Sequence, residues 1–385
     1  MRRSIRALAI VLGPILGAAW AGPSPAAAAE PPKQFKIAAS EPVLVGRSQG
    51  YLWFPTLATL ANGDLVAVMN DYADVHTNKS TSKVAFSSDS GRTWTFSSAS
   101  LNGDVHFRLP AGDELFLPYY LYPRPGGMGA PYQIFPKGKR EVRVVEDGVT
   151  VTSWPRPDRS FETKLGIAGF VFDGQVIALK DGAYLATLYG HFQGAKRYSL
   201  VAVESRDGAH WQVRTVIAGE DCKLRGKEGP CEAALCRLRD GRLMCVFRLD
   251  SGVPYGQTYS SDEGKTWTEP VAMEAFSVQP SLAMLKDGTL VLSGGRPGLF
   301  LWFSADGAGK TWERFDLLAH HNACVPKEPI TAPGKTSSYT EVIPVSDTDV
   351  LCIYDRIPHS WNAIPRDSKE TNSVWVVRVK VEKLP

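Results

Sequence analysis

The sequence predicts an all-β chain folded as a six-bladed β-propeller, and three observations carry that expectation. Short apolar runs meet at a tight turn six times: "LANGDLVAVM" at Gly63, "PAGDELFLPYY" at Gly112, "LKDGAYLATLYG" at Gly182, "LRDGRLMCVFR" at Gly241, "LKDGTLVLSGG" at Gly288 and "VSDTDVLCIYDR" about Thr348. The turns lie 47 to 70 residues apart and the copies account for most of the chain, which points to one closed repeat fold. An S-x-D-x-G-x-T-W motif follows several hairpins, as "SSDSGRTW" ending at Trp94 and "SSDEGKTW" ending at Trp267, with degenerate copies ending at Trp211 and Trp312. Long helical periodicity is hard to find, whereas Gly and Pro punctuate short apolar runs throughout. Six units of about four strands, set radially, leave only short and protected sheet edges.

The chain opens on "MRRSIRALAIVLGPILGAAWAGPSPAAAAE". Arg2, Arg3 and Arg6, an apolar run to Ala21 and small residues ending at Ala29 predict a secretory signal over residues 1–29, too short and too poorly flanked for a membrane anchor. Residues 30–385 are then the propeller domain, secreted or periplasmic. No other stretch approaches a membrane span. The formal charge of +3 equals that of the three leader arginines, so the remainder is close to neutral and no basic run points to nucleic acid.

Within the second unit, "LYPRPGGMGAPYQIFPKGKR" at 121–140 is the main long insertion, expected as a rim loop or lid. In the Trp motifs, Ser, Asp, Gly and Thr suit a tight turn closed by side-chain-to-backbone bonds, and the Trp plugs the space beside it, a structural and peripheral role. Six cysteines suit an oxidising compartment. A two-residue turn at Asp240-Gly241 would pair Leu238 with Leu243 and set Cys236 opposite Cys245, either as a cross-strand disulfide or as two small core thiols. Cys222 and Cys231 could close a loop. No Cys/His spacing fits zinc, and no metal or cofactor is expected.

In a propeller the innermost strand of each unit begins at one end of the axis, so equivalent starting positions converge there. Counting back from each turn, Trp53 lies ten residues before Gly63, while Asp173, Glu232, Gln279 and Tyr339 lie nine before Gly182, Gly241, Gly288 and Thr348. Counting forward, Asp71 lies eight after Gly63, Arg248 seven after Gly241 and Arg296 eight after Gly288. Acidic, basic, aromatic and phenolic groups are thus expected around one pocket. A Glu-Arg pair such as Glu232 and Arg248 is more often structural than catalytic, and a lone Tyr is usually a packing residue; their convergence is what gives them weight.

The S-x-D-x-G-x-T-W repeats, "CEAALCRLRDGRLMCVFR", "SGGRPG" and "SSYTEVI" together resemble the sialidase-like (neuraminidase) superfamily with BNR/Asp-box repeats, over nearly the whole domain. The resemblance implies a glycosidase in which a tyrosine attacks the anomeric carbon, a glutamate takes its proton, an aspartate on a mobile loop is the acid/base, and three arginines hold a substrate carboxylate. Carried over by local motif, Tyr339 resembles the nucleophile, Glu232 its partner, and Arg248 and Arg296 two of the arginines. "YLWFP" stands where the family begins its first unit with Arg-Ile-Pro, which puts Trp53 in the slot of the first arginine; Arg47 is the nearest guanidinium upstream. "NDYADVH" offers Asp74, then Asp71, as acid/base, and His76 as a sugar contact or loop cap. Asp173 and Gln279 share the axial slot as candidate substrate contacts. The implied function is an exported exo-glycosidase on a terminal acidic sugar, sialic acid or similar, with a glycan or glycoconjugate as partner. The alternatives are a propeller enzyme acting on another acidic polysaccharide, with Trp53 as a stacking wall, and a non-catalytic glycan-binding propeller.

Overall fold

The structure, a computed structural model, describes residues 33–74, 82–101, 103, 105–152, 160–161, 163–164, 167–273 and 278–385. The leader expected over residues 1–29 and His76 lie outside these residues. The expectation of an all-β chain is met: apart from a 3-10 turn at Pro136–Gly138, the only helix among the described residues is Leu317–Cys324, started by Asp316, whose side chain accepts from the Ala319 amide at 2.9 Å. None of the described helices is long and apolar enough to cross a membrane.

The strands form antiparallel up-and-down units in chain order. The first comprises Trp53–Thr59, Leu65–Asn70, Ser82–Ser87 and Thr95–Ser97. A nine-stranded sheet joins two further units, one running from Val105–Arg108 to Arg143–Thr152 and one from Phe170–Ala178 to His210–Ala218, through a parallel pairing of Thr150–Thr152 with His210–Gln212. Cys231–Arg237, Leu243–Arg248, Gly256–Ser260 and Val271–Ala272 follow, then Ser281–Met284, Leu290–Gly295, Leu299–Ser304 and Glu313–Asp316. The last sheet combines Thr340–Pro344, Asp349–Arg356 and Asn372–Lys383 with Phe35–Ala39 from the start of the domain. That antiparallel pairing, Phe35 opposite Lys383, ties the two ends of the chain together and removes an exposed edge. The core lies between neighbouring sheets, where their apolar faces meet: Phe35 packs with Val377, Val379 and Val381, and Phe172 and Leu188 pack with Trp211.

One turn geometry closes five of the hairpins. The Leu60 amide donates to the Asp64 carbonyl (2.7 Å) and the Gly63 amide to the Leu60 carbonyl (2.9 Å), and the same pair of bonds recurs at Leu109, Leu179, Leu238 and Leu285. The glycines have φ between 83° and 93°, so this is a three-residue loop ending in a left-handed residue, which glycine adopts without a Cβ clash. The two-residue turn expected at Asp240-Gly241 is therefore one residue too short. The observed register sets Cys236 opposite Met244 and Leu235 opposite Cys245, and Leu238 bonds within the turn to Arg242. Cys236 and Cys245 do not face each other, and all six cysteines, Cys222 and Cys231 included, are free thiols.

The Trp motifs sit between the third and outermost strands of their sheets. In the first, the Gly91 amide donates to the Ser87 hydroxyl (2.9 Å), the Arg92 and Thr93 amides donate to Asp89 (3.0 and 2.9 Å), and the Trp94 indole donates to the Gly91 carbonyl (3.2 Å). Ser260 and Asp262 repeat the turn-closing bonds before Trp267, while Trp211 and Trp312 repeat the indole bond. Hydrogen bonds from Thr93 hold the Asp89 carboxyl down to about 2, as a carboxylate used to close a turn should be. The 121–140 stretch, expected as a rim loop, is instead largely paired: Tyr122–Arg124 and Gly127–Phe135 form a hairpin inside the nine-stranded sheet.

His106, on Val105–Arg108, links its own sheet to the last one. Its Nδ1 lies 2.9 Å from Glu114 and its Nε2 3.3 Å from Glu341 of the last sheet, while Glu341 also accepts the Leu57 amide of the first sheet at 2.7 Å. Burial disfavours the imidazolium, but Glu341 and Glu114 outweigh it and raise the His106 pKa to about 10. A histidine raised in the folded state contributes stability that is complete below its unfolded value near 6.5 and is lost as pH climbs toward 10. We expect the melting temperature of the wild type to fall between about pH 6.5 and 10 more steeply than that of His106→Asn; parallel profiles would contradict the clasp.

Candidate active site

Phe54, Gly103, Asp173, Glu232, Gln279 and Tyr339 each lie nine residues before the turn residue of their hairpin, and all six line one cleft. The cleft, about 720 Å³ counting the space open to solvent, is completed by Asn70, Tyr72, Asp74, Tyr119 and Tyr120. The second unit's member of this set, Gly103, has φ +126°, and a Cβ there would stand 1.9 Å from the Leu117 carbonyl oxygen. The first unit's member is Phe54 rather than Trp53, which corrects the expected slot. An offset of ten residues lands on a core position: Trp53 is 1 % exposed, its indole donates to the Tyr72 carbonyl at 2.9 Å, and it stacks on Phe54 with centroids 5.0 Å apart. Arg47 does not supply the missing guanidinium, because it is paired with Glu328 on the surface.

Strand irregularities aim these side chains. Register slips between Cys231 and Ala233 leave Glu232 as an extra residue at φ +31°, and a matching slip between Trp53 and Thr56 leaves Phe54 at φ +48°. Such bulges break the in-and-out alternation and turn a side chain that would enter a sheet face toward the axis. Arg296 and Ser338 also have positive φ, +57° and +66°. Left-handed backbone at non-glycine residues costs of order 1 kcal/mol or more each, and four of the eight described cases stand in or beside this cleft.

Glu232 is the centre of the polar network. Its Oε1 accepts from the Tyr339 hydroxyl at 2.5 Å and from Arg248 Nη1 at 2.6 Å, and its Oε2 accepts from the Gln279 amide at 2.9 Å. Arg248 Nη1 also reaches the Tyr339 oxygen at 3.3 Å, while Nη2 bonds Glu228 at 2.8 Å and the Ser251 hydroxyl at 3.2 Å. Burial, reinforced by the Glu232 charge, holds the Tyr339 phenol well above its ordinary pKa, so it is neutral and donates. Arg296 spans the neighbouring rim: Nη2 donates to the Ser337 carbonyl at 2.7 Å, Nη1 to Ser251 at 3.3 Å, and its guanidinium lies 5.5 Å from the Tyr339 ring and 4.9 Å from that of Trp361.

Glu232, Arg248, Arg296 and Tyr339 are therefore brought together. Asp74 lines the same cleft at its solvent edge, its carboxyl raised by desolvation against the partial offset of Arg296. Asp71 is not among the residues lining the cleft. Asp173 lines it but is 2 % exposed and accepts the Ala233 amide at 3.1 Å, a bond that fixes the strand carrying Glu232. Gln279 lines it with its backbone committed to Glu232. Sequence reasoning missed a second set, seven residues after the turns: Asn70, Tyr119, Tyr189 and Asp355 alongside Arg248. The Tyr119 and Tyr189 hydroxyls share a hydrogen bond at 2.7 Å. Asp355, fully buried, accepts from the Phe54 amide (3.2 Å), the Ser337 amide (2.7 Å), the Thr336 hydroxyl (3.0 Å) and the Ser337 hydroxyl, and so fixes the turn that leads into Tyr339.

A family model described as BNR repeat-like domain matches residues 96–352. The chain belongs to that family. Its fold is shared by a Dyadobacter fermentans protein of unknown function (17 % identity, 90 % of this chain and 99 % of that one, TM-score 0.68). It is also shared by the Hadza microbial sialidase Hz136 (15 % identity, 87 % and 66 % covered, TM-score 0.58) and by a Penicillium chrysogenum alpha-L-arabinanase complexed with arabinobiose (14 % identity, 88 % and 98 % covered, TM-score 0.58). The resemblance to the sialidase-like superfamily is thus met by a BNR repeat-like chain on a propeller-type fold whose neighbours include glycoside hydrolases. No curated protein matches the chain.

The exchange of Trp53 for Phe54 in the cleft has a measurable consequence. Trp53→Ala empties a filled core position and is expected to cost about 3–5 kcal/mol in denaturant unfolding. Phe54→Ala, at a half-buried ring facing the cleft, should cost clearly less; equal losses would contradict the assignment.

Proposed function

We propose that this protein is an exported exo-glycosidase of sialidase type, a six-bladed propeller that removes a terminal sugar from a glycan with retention of configuration. The observation that carries the reading is the 2.5 Å hydrogen bond from the Tyr339 hydroxyl to Glu232, made inside a cleft and backed by Arg248. Three separate sheets and one half of the nine-stranded sheet have four strands each, and the other half and the last sheet have five each, which supports six radial units. The apolar run after Arg2, Arg3 and Arg6 supports export to the periplasm or medium.

Tyrosine is a known exception to the two-carboxylate scheme of glycoside hydrolysis. In the first step the Tyr339 oxygen bonds to the anomeric carbon as its proton passes to Glu232, and the glycosidic bond breaks with a proton from Asp74 to the departing oxygen. In the second, Asp74 takes a proton from water, the water oxygen displaces the phenolic oxygen, and Tyr339 recovers its proton from Glu232. Arg248, 3.3 Å from the phenolic oxygen, is placed to stabilise the charge that develops there. A phenol also spares the cleft another carboxylate beside Glu232, where like-charge repulsion would keep one of the two protonated. The expected acidic sugar would need Arg248 and Arg296 for its carboxylate, and both already have partners.

Tyr339→Phe removes the attacking oxygen and Glu232→Gln the base, each keeping the shape of its side chain. Both are expected to lower kcat/KM on aryl glycosides by about 10²–10⁴-fold; Tyr339→Phe should leave the melting temperature nearly unchanged, whereas Glu232→Gln should lower it, because buried Arg248 loses a counter-charge. Asp74→Asn should hurt poor leaving groups more than good ones and remove the limb of the pH profile above the ordinary aspartate range. Wild-type protein that releases no sugar, or Tyr339→Phe with undiminished turnover, would overturn the reading.

A further inference from the structure

We infer that the sugar seated against Tyr339 is uncharged, a terminal sugar without a carboxylate; this rests on the glycosidase reading of the site. Among the described residues lining the cleft three are carboxylates, Asp74, Asp173 and Glu232, and none is a cation. Glu228, on Arg248, adds a fourth negative group at the edge of the same network. Among the described residues two guanidiniums stand near, Arg248 and Arg296, so even with Asp74 protonated the described carboxylates outnumber them. An incoming carboxylate would meet net like charge in a partly desolvated site, where the repulsion is stronger than in water.

Neither guanidinium is arranged as a carboxylate clamp. A bidentate grip needs two adjacent N–H groups of one fork. Arg248 gives Nη1 to Glu232 and Nη2 to Glu228, its Nε is buried from solvent, and its side chain is 9 % exposed. Arg296 gives Nη2 to a backbone carbonyl and Nη1 to Ser251, and aromatic rings lie beside its guanidinium. The third position of a clamp, at the head of the first unit, is Phe54, packed edge-on against the Tyr339 ring with centroids 4.7 Å apart. Phe54 and the phenols of Tyr72, Tyr119 and Tyr120 offer instead an apolar face and hydroxyl-scale polarity, the surface that a ring of C–H and O–H groups fits.

The test uses the mature wild-type protein and probes paired by charge. Turnover is measured on p-nitrophenyl hexosides and pentosides, on the glucuronide and galacturonide matching the glucoside and galactoside, and on an aryl sialoside. Binding of the corresponding methyl glycosides and methyl uronides is measured by calorimetry or saturation-transfer NMR. The expected result is that a neutral member is turned over, and that neutral sugars bind on the order of tenfold or more tightly than their carboxylate partners. That preference should narrow as salt screens the cleft, and in Glu228→Gln, which removes one negative charge and frees Arg248 Nη2. A sialoside or uronide bound or turned over at least as well as the neutral probes overturns the inference, and so does the absence of any neutral sugar that binds. Loss of the glycosidase reading looks different: neutral sugars would bind preferentially without being cleaved, or would be cleaved as well by Tyr339→Phe.

Discussion

Glu232 carries its carboxylate into the cleft on a left-handed backbone, and donors from three sheets meet it there: Arg248 from its own sheet, the Gln279 amide at the head of the next, and the Tyr339 hydroxyl at the head of the last. Each contact depends on the others. Without Glu232, Arg248 would be a buried guanidinium with only Glu228 opposite it, and uncompensated buried charge of that kind costs several kcal/mol. Without Arg248, the carboxylate would keep only neutral donors, the Tyr339 hydroxyl and the Gln279 amide, and would lose its buried counter-charge. The bulge at Glu232 is tolerated because the network over-determines its position. Asp173 adds a further constraint by holding the Ala233 amide, and Asp355 does the equivalent for Tyr339 through Ser337.

Much of this was legible in the sequence because a single distance recurs. From the axial residue to the turn residue, every unit uses the same number of residues, so a count from the turn finds the cleft without knowledge of any contact. The count reaches Trp53, which stands where the family has its first arginine, only at an offset of ten; held at nine it reaches Phe54, and applied to the second unit it reaches Gly103. A one-residue error matters in a strand because it moves the side chain to the other face. The same error at Asp240-Gly241 set Cys236 against Cys245, since a two-residue turn and a three-residue loop with a left-handed glycine share the Asp-Gly signature but differ in register by one.

What the count could not give is the bonding state of each group. Arg248 and Arg296 stand at the expected offsets, yet an offset says where a guanidinium is, not which of its nitrogens are already committed. Glu228 precedes Glu232 by one turn of loop with no apolar pattern to mark it, and its effect is to convert Arg248 from a ligand-binding group into an internal one. Asp355 looks like any polar residue at the end of a strand until four donors are seen to converge on it. Residues of this kind act through partners distant in the chain, and only the closed ring brings those partners near.

The neutral phenol and the acidic cleft are two sides of one electrostatic problem. A tyrosine nucleophile is usually rationalised by a negatively charged substrate, which a carboxylate nucleophile would repel. In this cleft the negative charge belongs to the protein: Glu232, Asp173 and, through Arg248, Glu228 already crowd the site. A carboxylate in place of Tyr339, at hydrogen-bonding distance from Glu232, could not ionise together with it at neutral pH. A phenol can sit there because burial and the Glu232 charge keep its proton on until a substrate draws it off, and because Arg248 lies close enough to meet the charge that then appears. In the proposed reaction the choice of Tyr339 as nucleophile is therefore accounted for by the protein's own charges, with no need for an anionic sugar.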